Sequence, residues 1–321
     1  MTRRELLFSF PALAMIPTAL AQTAKPTIPV KGLNQFTLLV SDVKRSVDFY
    51  QGLFGMPIQA RQGSIVILRI GNGPQFIAIG PSGTNPPSIA PRVGMTMENF
   101  NADRVAGILA QHGITARKDG TAEVVFDDPD GLVLRLMDTK YCGGAGTLGE
   151  VCAKVEPSPK KGLIALSDMN HFTINTSNGT RSNEFYQQLF GLPIRSRQGA
   201  ALGLGIGPGK MFVMFAGGGG GRGAANATPR PASINHVCMN MEKFVPDDVI
   251  RILTSFGLTA REGQGAAGPM KHYVTLRMEN RGGAPGGTPE LYFTDPDGLL
   301  IQLQDVSYCG GSGFLGNVCE A

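Results

Sequence analysis

The chain has 321 residues, a formal net charge of +4, 44 glycines, five cysteines and no tryptophan. Its Lys and Arg are scattered rather than blocked, which excludes a nucleic-acid-binding face read from charge. Past the first residues no apolar run reaches the length of a membrane span. The length suits two domains of ordinary size.

Residues 1–21 read as a signal peptide. Arg3 and Arg4 precede an apolar stretch that ends in Ala19-Leu20-Ala21, an A-x-A cleavage pattern. The arginine pair resembles a twin-arginine export address. Pro11 and Pro17 break the stretch, so it is not a permanent anchor. A periplasmic or secreted protein is expected, with no membrane attachment after cleavage. Losing Arg3, Arg4 and Glu5 takes the charge from +4 to +3.

From residue 31 the elements follow one plan. "NQFTLLV" (34–40) is a strand. "DVKRSVDFYQGLFG" (42–55) carries Val47, Tyr50 and Phe54 at helical spacing, with Ser41 or Asp42 as its cap. "SIVILRIG" (64–71) and "PQFIAIG" (74–80) are strands. The plan then restarts with the strand "RVGMTM" (92–97). The helix "NADRVAGILAQHG" (101–113) follows and stops at Gly113. "AEVVFDDPDGLVLRLMD" (122–138) is a hairpin turned at Asp-Pro-Asp-Gly.

After residue 152 the chain repeats itself. "RSVDFYQGLFGMPI" (45–58) returns as "RSNEFYQQLFGLPI" (181–194), an offset of 136 residues. "FDDPDGLVLRLMD" (126–138) returns as "FTDPDGLLIQLQD" (293–305), an offset of 167, so the second copy carries about 31 extra residues. They fall in 217–231, whose glycine run 217–223 is read as a flexible flap, and within 263–289. The expected boundaries are a first domain at 31–152, a linker at 153–166 and a second domain at 167–321. Each domain ends in C-G-G-x-G-x-L-G-x-x-C. Cys142/Cys152 and Cys309/Cys319 are read as local disulfides rather than halves of a metal clip, since no second pair lies nearby. Cys238 is left over.

The fold class is thus α+β, with four β-α-β-β-β units in two tandem domains. The "FYQxLFGxPI" helix, the "DPDG" hairpin and the paired units resemble the vicinal oxygen chelate superfamily. This group contains glyoxalase I, the bleomycin- and fosfomycin-resistance proteins and the type I extradiol dioxygenases. The resemblance covers nearly all of 33–305, and four units in one chain look most like the extradiol dioxygenases. It implies two units curved around a cup with a metal inside.

On this resemblance the metal positions of the second domain hold His171, His236 and Gln302. The extradiol dioxygenases have His, His and Glu there, an arrangement suited to Fe(II) with open positions. The first domain holds Gln35, Arg92 and Arg135, which would repel a cation. "LYFTDPDGLLIQ" (291–302) matches the dioxygenase signature and makes Tyr292 a substrate-holding catalytic residue. The signature's upstream His is missing, because position 284 is Ala; His272 is the candidate to replace it. Gln302 cannot neutralise metal charge as a carboxylate does, and Glu290, two residues before Tyr292, is a candidate stand-in. Asn170 and Asn235 are expected to face the helices, by strand alternation.

The expected activity is that of a metal-dependent, extradiol-dioxygenase-like oxidoreductase. Its partner is a small-molecule substrate with adjacent oxygens, its cofactor a divalent metal, Fe(II) or else Mn(II), and a homo-oligomer is allowed. The competing expectation is a non-catalytic small-molecule binder with a degenerate site.

Overall fold

A computed structural model describes residues 27–152, 155–217 and 231–320. The expected signal peptide lies outside the described residues, and so do 218–223 of the glycine run.

The first half runs β1 (Gly32–Val40), α1 (Val43–Phe54), β2 (Ile58–Gln62), β3 (Ile65–Arg69), β4 (Phe76–Pro81), a short β5 (Ser88–Ile89), β6 (Arg92–Met97), α2 (Ala102–Gln111), β7 (Arg117–Asp119), β8 (Glu123–Asp127) and β9 (Val133–Asp138). The second half runs β10 (Leu166–Asn175), α3 (Gly179–Phe190), β11 (Ile194–Gln198), β12 (Ala201–Gly205), β13 (Phe212–Ala216), β14 (Ser233–Met241), α4 (Pro246–Ser255), β15 (Thr259–Ala260), β16 (Lys271–Arg277), β17 (Thr288–Thr294) and β18 (Leu300–Asp305). Helices α1, α2 and α3 start where short polar side chains take up free backbone N–H groups, whereas α4 begins at Pro246 without a side-chain cap. Asp42 accepts from Arg45 N at 3.0 Å, and Asn178 accepts from Arg181 N at 3.0 Å. Gly55 and Gly191 stop α1 and α3 at φ 68°, a conformation that favours glycine.

Each half is one nine-stranded sheet. Its path is β2-β3-β4-β1-β6-β9-β8-β7 in the first half, with β5 paired to β1 off this path, and β11-β12-β13-β10-β14-β18-β17-β16-β15 in the second. The first strands of the two units lie antiparallel at the centre, β1 on β6 and β10 on β14. Each is flanked by the last strand of its own unit, running parallel. This order brings the ends of both units to the middle of one sheet face, which becomes the floor of a cup.

The opposite faces of both sheets, with the helices, form one continuous core. Phe49 of α1 meets Phe256, at the end of α4, at 5.5 Å and Phe293 of β17 at 6.2 Å. The halves therefore share their apolar interior across the repeat. Both expected disulfides are present, Cys142–Cys152 and Cys309–Cys319, and Cys238 is free and buried.

The Asp-Pro-Asp-Gly hairpins do more than turn the chain. Each docks on a helix of the other half. Asp297 accepts from Ser41 Oγ at 2.6 Å and pairs with Arg45 Nη2 at 2.6 Å, while Tyr50 Oη donates to Asp295 at 3.4 Å. In the reciprocal clasp Asp130 takes Ser177 Oγ at 2.9 Å, Ser182 Oγ at 2.8 Å and Arg181 Nη2 at 2.5 Å, and Tyr186 Oη donates to Asp128 at 3.2 Å. The Asp130 carboxylate is almost wholly buried, and its several donors hold its pKa below the ordinary carboxylate value against the opposing effect of burial. Asp130→Ala is expected to strand buried donors and to cost about 1–3 kcal/mol in urea unfolding. An unchanged midpoint would mean that the clasp is ornamental.

Candidate active site

One row of side chains crosses the floor of the second cup. Strand register sets Phe212 beside His171, His171 beside Cys238, Cys238 beside Gln302, Gln302 beside Tyr292 and Tyr292 beside Tyr273. His236 stands two residues from Cys238 on β14, on the same face. His171, His236, Gln302 and Tyr292 are thus brought together around a cavity of about 230 Å³, which Glu290, Tyr308, Gln198 and Arg281 also line. That volume is below the ~300–1,000 Å³ of pockets for drug-sized ligands, so it suits a molecule of about one ring.

Both imidazoles are held in a fixed sense. His171 Nδ1 lies 2.8 Å from Asn170 Oδ1, and His236 Nδ1 lies 2.8 Å from Asn235 Oδ1. An amide oxygen only accepts, so each Nδ1 must carry the proton. Each Nε2 is then a lone-pair acceptor, and the two face one another at 3.3 Å. Burial is the main reason both pKa values fall, His236 to about 4 and His171 well below its ordinary value, where the charges of His236 and Arg277 add to the effect. At neutral pH no proton bridges the pair. Gln302 pulls weakly the other way on both rings, so its amide is near them. Yet neither its Nε2 nor its Oε1 has a hydrogen-bond partner, although the residue is only 1% exposed.

The two asparagines correct the alternation argument. Strand irregularities beside Met169 and between His171 and Ile174 rotate the backbone locally. Asn170 then reaches its neighbour's ring while its Nδ2 donates to Tyr308 O at 2.8 Å. Asparagine before each histidine was the available sequence signal for this role.

The sequence matches the model of the Glyoxalase/Bleomycin resistance protein/Dioxygenase superfamily over residues 32–136 and 168–303. The chain belongs to this superfamily. No curated protein is similar enough in sequence to match. Among solved structures, the 2,3-dioxygenase LapB from Pseudomonas sp. KL28 is similar at 15% identity and TM-score 0.60, over 87% of this chain and 93% of that one. A catechol 2,3-dioxygenase is similar at 15% identity and TM-score 0.58, over 89% of both chains. A Mn(II)-bound glyoxalase from Novosphingobium aromaticivorans is similar at 14% identity and TM-score 0.56, over 86% of this chain and 82% of that one. Likenesses at these identities establish an extradiol-dioxygenase-like superfamily fold and nothing finer.

Within that fold some expected roles move. His272 is not in the cup. It pairs with Phe293, a core residue, and its Nε2 meets Thr254 Oγ1 of α4 at 3.0 Å, on the helix side of the sheet. Strand alternation gives the cup face to Tyr273 instead. Glu290 lines the cup but is already engaged. Its Oε1 takes Arg277 Nε at 2.8 Å and Tyr308 Oη at 3.3 Å, and its Oε2 takes Tyr292 Oη at 3.4 Å. It is a counter-ion for Arg277 rather than a free ligand.

Among the described residues no group of three or more His, Cys, Asp or Glu is placed to hold a metal. The cup instead gathers two imidazoles and an amide. Their fit to a divalent ion rests on this structure's own chemistry. Two facing lone pairs and one unpartnered buried amide oxygen all lack a positive partner. The 3.3 Å between the Nε2 atoms is less than twice the ~2.0–2.1 Å of a metal–imidazole bond such as zinc's. The donors fit, without the negative charge that a carboxylate would bring.

Tyr308 was also not singled out in the sequence, though its motif was. The disulfide-closed tail sets its ring against His171, at 5.7 Å, and its hydroxyl at Gln198 Nε2, at 3.1 Å. Arg281, carried on a short 3-10 turn in the extra segment 263–289, reaches the cup wall.

The asparagines give a direct test of the arrangement. Asn235→Ala is expected to weaken divalent-metal binding by roughly 10–100-fold, as loss of an orienting partner does. Titration calorimetry reads it, and wild-type affinity in the variant would mean that the imidazole needs no such hold.

Proposed function

We propose that the chain is a metal-dependent enzyme of the superfamily, an extradiol-dioxygenase-like oxidoreductase acting on a small substrate with two adjacent oxygens. The observation that carries this reading is the pair of converging Nε2 lone pairs, each fixed by an asparagine and left without a proton. His171, His236 and Gln302 would hold the metal, Fe(II) or Mn(II). Bound there, such an ion would act as a Lewis acid and a template for the adjacent oxygens.

The chain's own residues prepare the rest. Burial first, and the Glu290 charge second, raise the Tyr292 pKa well above the ordinary phenol value. Tyr292 therefore stays protonated, and its hydroxyl would turn from its long 3.4 Å hydrogen bond to Glu290 and donate to a substrate oxygen instead. Its ring is braced by Tyr273, stacked at 5.2 Å, over which the Arg261 guanidinium lies at 3.8 Å. Arg281 on the cup wall adds positive charge for an acidic or enolic oxygen. The disulfides suit an oxidising compartment, which supports export to the periplasm or beyond.

The second reading is a binder without chemistry. Gln302 favours it, since a site of neutral donors holds a cation less tightly. Oxygen uptake with catechol, after anaerobic Fe(II) loading, separates the two readings. Turnover in wild type is expected, with a roughly 100-fold lower rate in Tyr292→Phe through loss of the positioned donor. Catechol bound without oxygen uptake would favour the binder.

A further inference from the structure

The repeat allows the two cups to be compared position by position. Where the second half sets Phe212, His171, Cys238, Gln302, Tyr292 and Tyr273 in a row, the first sets Phe76, Gln35, Gly94, Arg135, Val125 and Arg117. Arg92 stands where His236 does. The first cup is not filled in by these changes. A cavity of about 390 Å³ remains, lined by Arg92, Arg117, Lys118 and Arg135 against the single acid Asp119, with Val125 and Val133.

Its charges are unequally satisfied. Arg135 Nε pairs with Glu123 Oε2 at 2.6 Å, and the other Glu123 oxygen accepts from Tyr141 Oη. Lys118 pairs with Asp103 at 2.6 Å. Arg92 has no such partner. Its Nε is buried with no hydrogen-bond acceptor, and so is Gln35 Nε2. Burial, then the neighbouring Arg135, lower the Arg92 pKa from its ordinary value. Arg92 is half-buried, and the one carboxylate near the two guanidiniums, Glu123, is already paired with Arg135 and only partly offsets the charge of Arg92, which leaves room for a further anion. The second cup presents converging acceptors. The first presents converging donors, the opposite request.

We infer that the first-half cup is an anion-binding site for a small oxyanion, a carboxylate or a phosphate, with Arg92 as its principal donor and Arg117 at its rim. The planar guanidinium fork matches either group in a bidentate way. Val125 and Val133 provide an apolar wall for the remainder of a carboxylate ligand. This site is independent of any metal in the second cup.

The test uses the full chain, metal-free, with inorganic phosphate and benzoate as probes against chloride at matched ionic strength. Calorimetry and thermal unfolding are read together, because a ligand that binds the folded state raises its melting point. One saturable site per chain is expected for at least one probe, and the preferred probe tells the tetrahedral from the planar oxyanion. Arg92→Gln is expected to weaken binding by roughly tenfold or more, the loss of a charge-assisted hydrogen bond. Arg117→Gln, at an exposed position, should weaken binding with no change in the anion-free melting point, and it keeps the test valid if Arg92→Gln folds poorly. His236→Ala should bind the probe as wild type does, which separates the two cups. No effect beyond chloride, or wild-type binding in both arginine variants, would overturn the assignment.

Discussion

Replacing His236 by alanine is expected to abolish measurable Mn(II) binding, a larger loss than the ~10–100-fold that follows removal of an orienting partner. The reason is geometric. The site has two imidazole donors, and their Nε2 atoms converge at 3.3 Å. Removing one leaves a single imidazole and a neutral amide, a donor set no better than a surface site. The metal-free variant should not lose much stability, because the change also removes one of two opposed lone pairs. Calorimetric titration beside thermal unfolding reads both quantities. Retained Mn(II) affinity in a folded His236→Ala protein would place the metal elsewhere.

Gln302→Glu is expected to act in the opposite direction and to tighten divalent-metal binding by at least about tenfold, a gain of ~1.4 kcal/mol or more. The amide is 1% exposed and both its polar atoms lack partners, so its place is poorly used without a cation. A carboxylate there would bring the missing negative charge to the same position. The same change should destabilise the metal-free protein, since it buries an unpaired charge beside Glu290. The signature is therefore a larger metal-dependent rise in melting point from a lower starting value. Equal metal affinity in Gln302→Glu and wild type would show that residue 302 does not reach the ion.

Much of this architecture was legible in the sequence, because the repeat compares the chain with itself. The helix at 42–55 announced itself by apolar spacing, its copy at 181–194 by the repeat, and the D-P-D-G hairpins by turn chemistry. The strand β2 carried a weaker signal: "IQARQ" alternates poorly and half of it is exposed. His171, His236, Gln302 and Tyr292 could be named from the resemblance to the superfamily, whose site positions they occupy, and the fold brings them around one cavity. His272 was misplaced by a local matter. Nothing in "KHYV" tells which of two adjacent residues faces the cup until the pairing with β17 is known. Its neighbour Tyr273 takes that face. The asparagine holds were missed because strand alternation assumes regular strands, and the β10–β14 register shifts between Met169 and His171 and again between Thr173 and Ile174, opposite Asn235. The cross-half clasps were unreadable for another reason. Asp130 and Arg181 lie 51 residues apart, and their contact depends on how the two sheets share a core.

The first half teaches a related point about repeats. Arg92 and Arg135 read in the sequence as loss of a metal site. In the folded cup they sit around an open cavity, with a buried donor left unpaired. Duplication kept the container and inverted its polarity.

The most direct test of the central claim is the metal content of the purified wild-type chain, by elemental analysis after anaerobic loading with Fe(II) and removal of excess. About one metal ion per chain, lost in His236→Ala, is the result this account predicts. No metal above background in the wild type, under conditions where Gln302→Glu takes up one ion, would contradict it and leave the second cup a binder of small molecules alone.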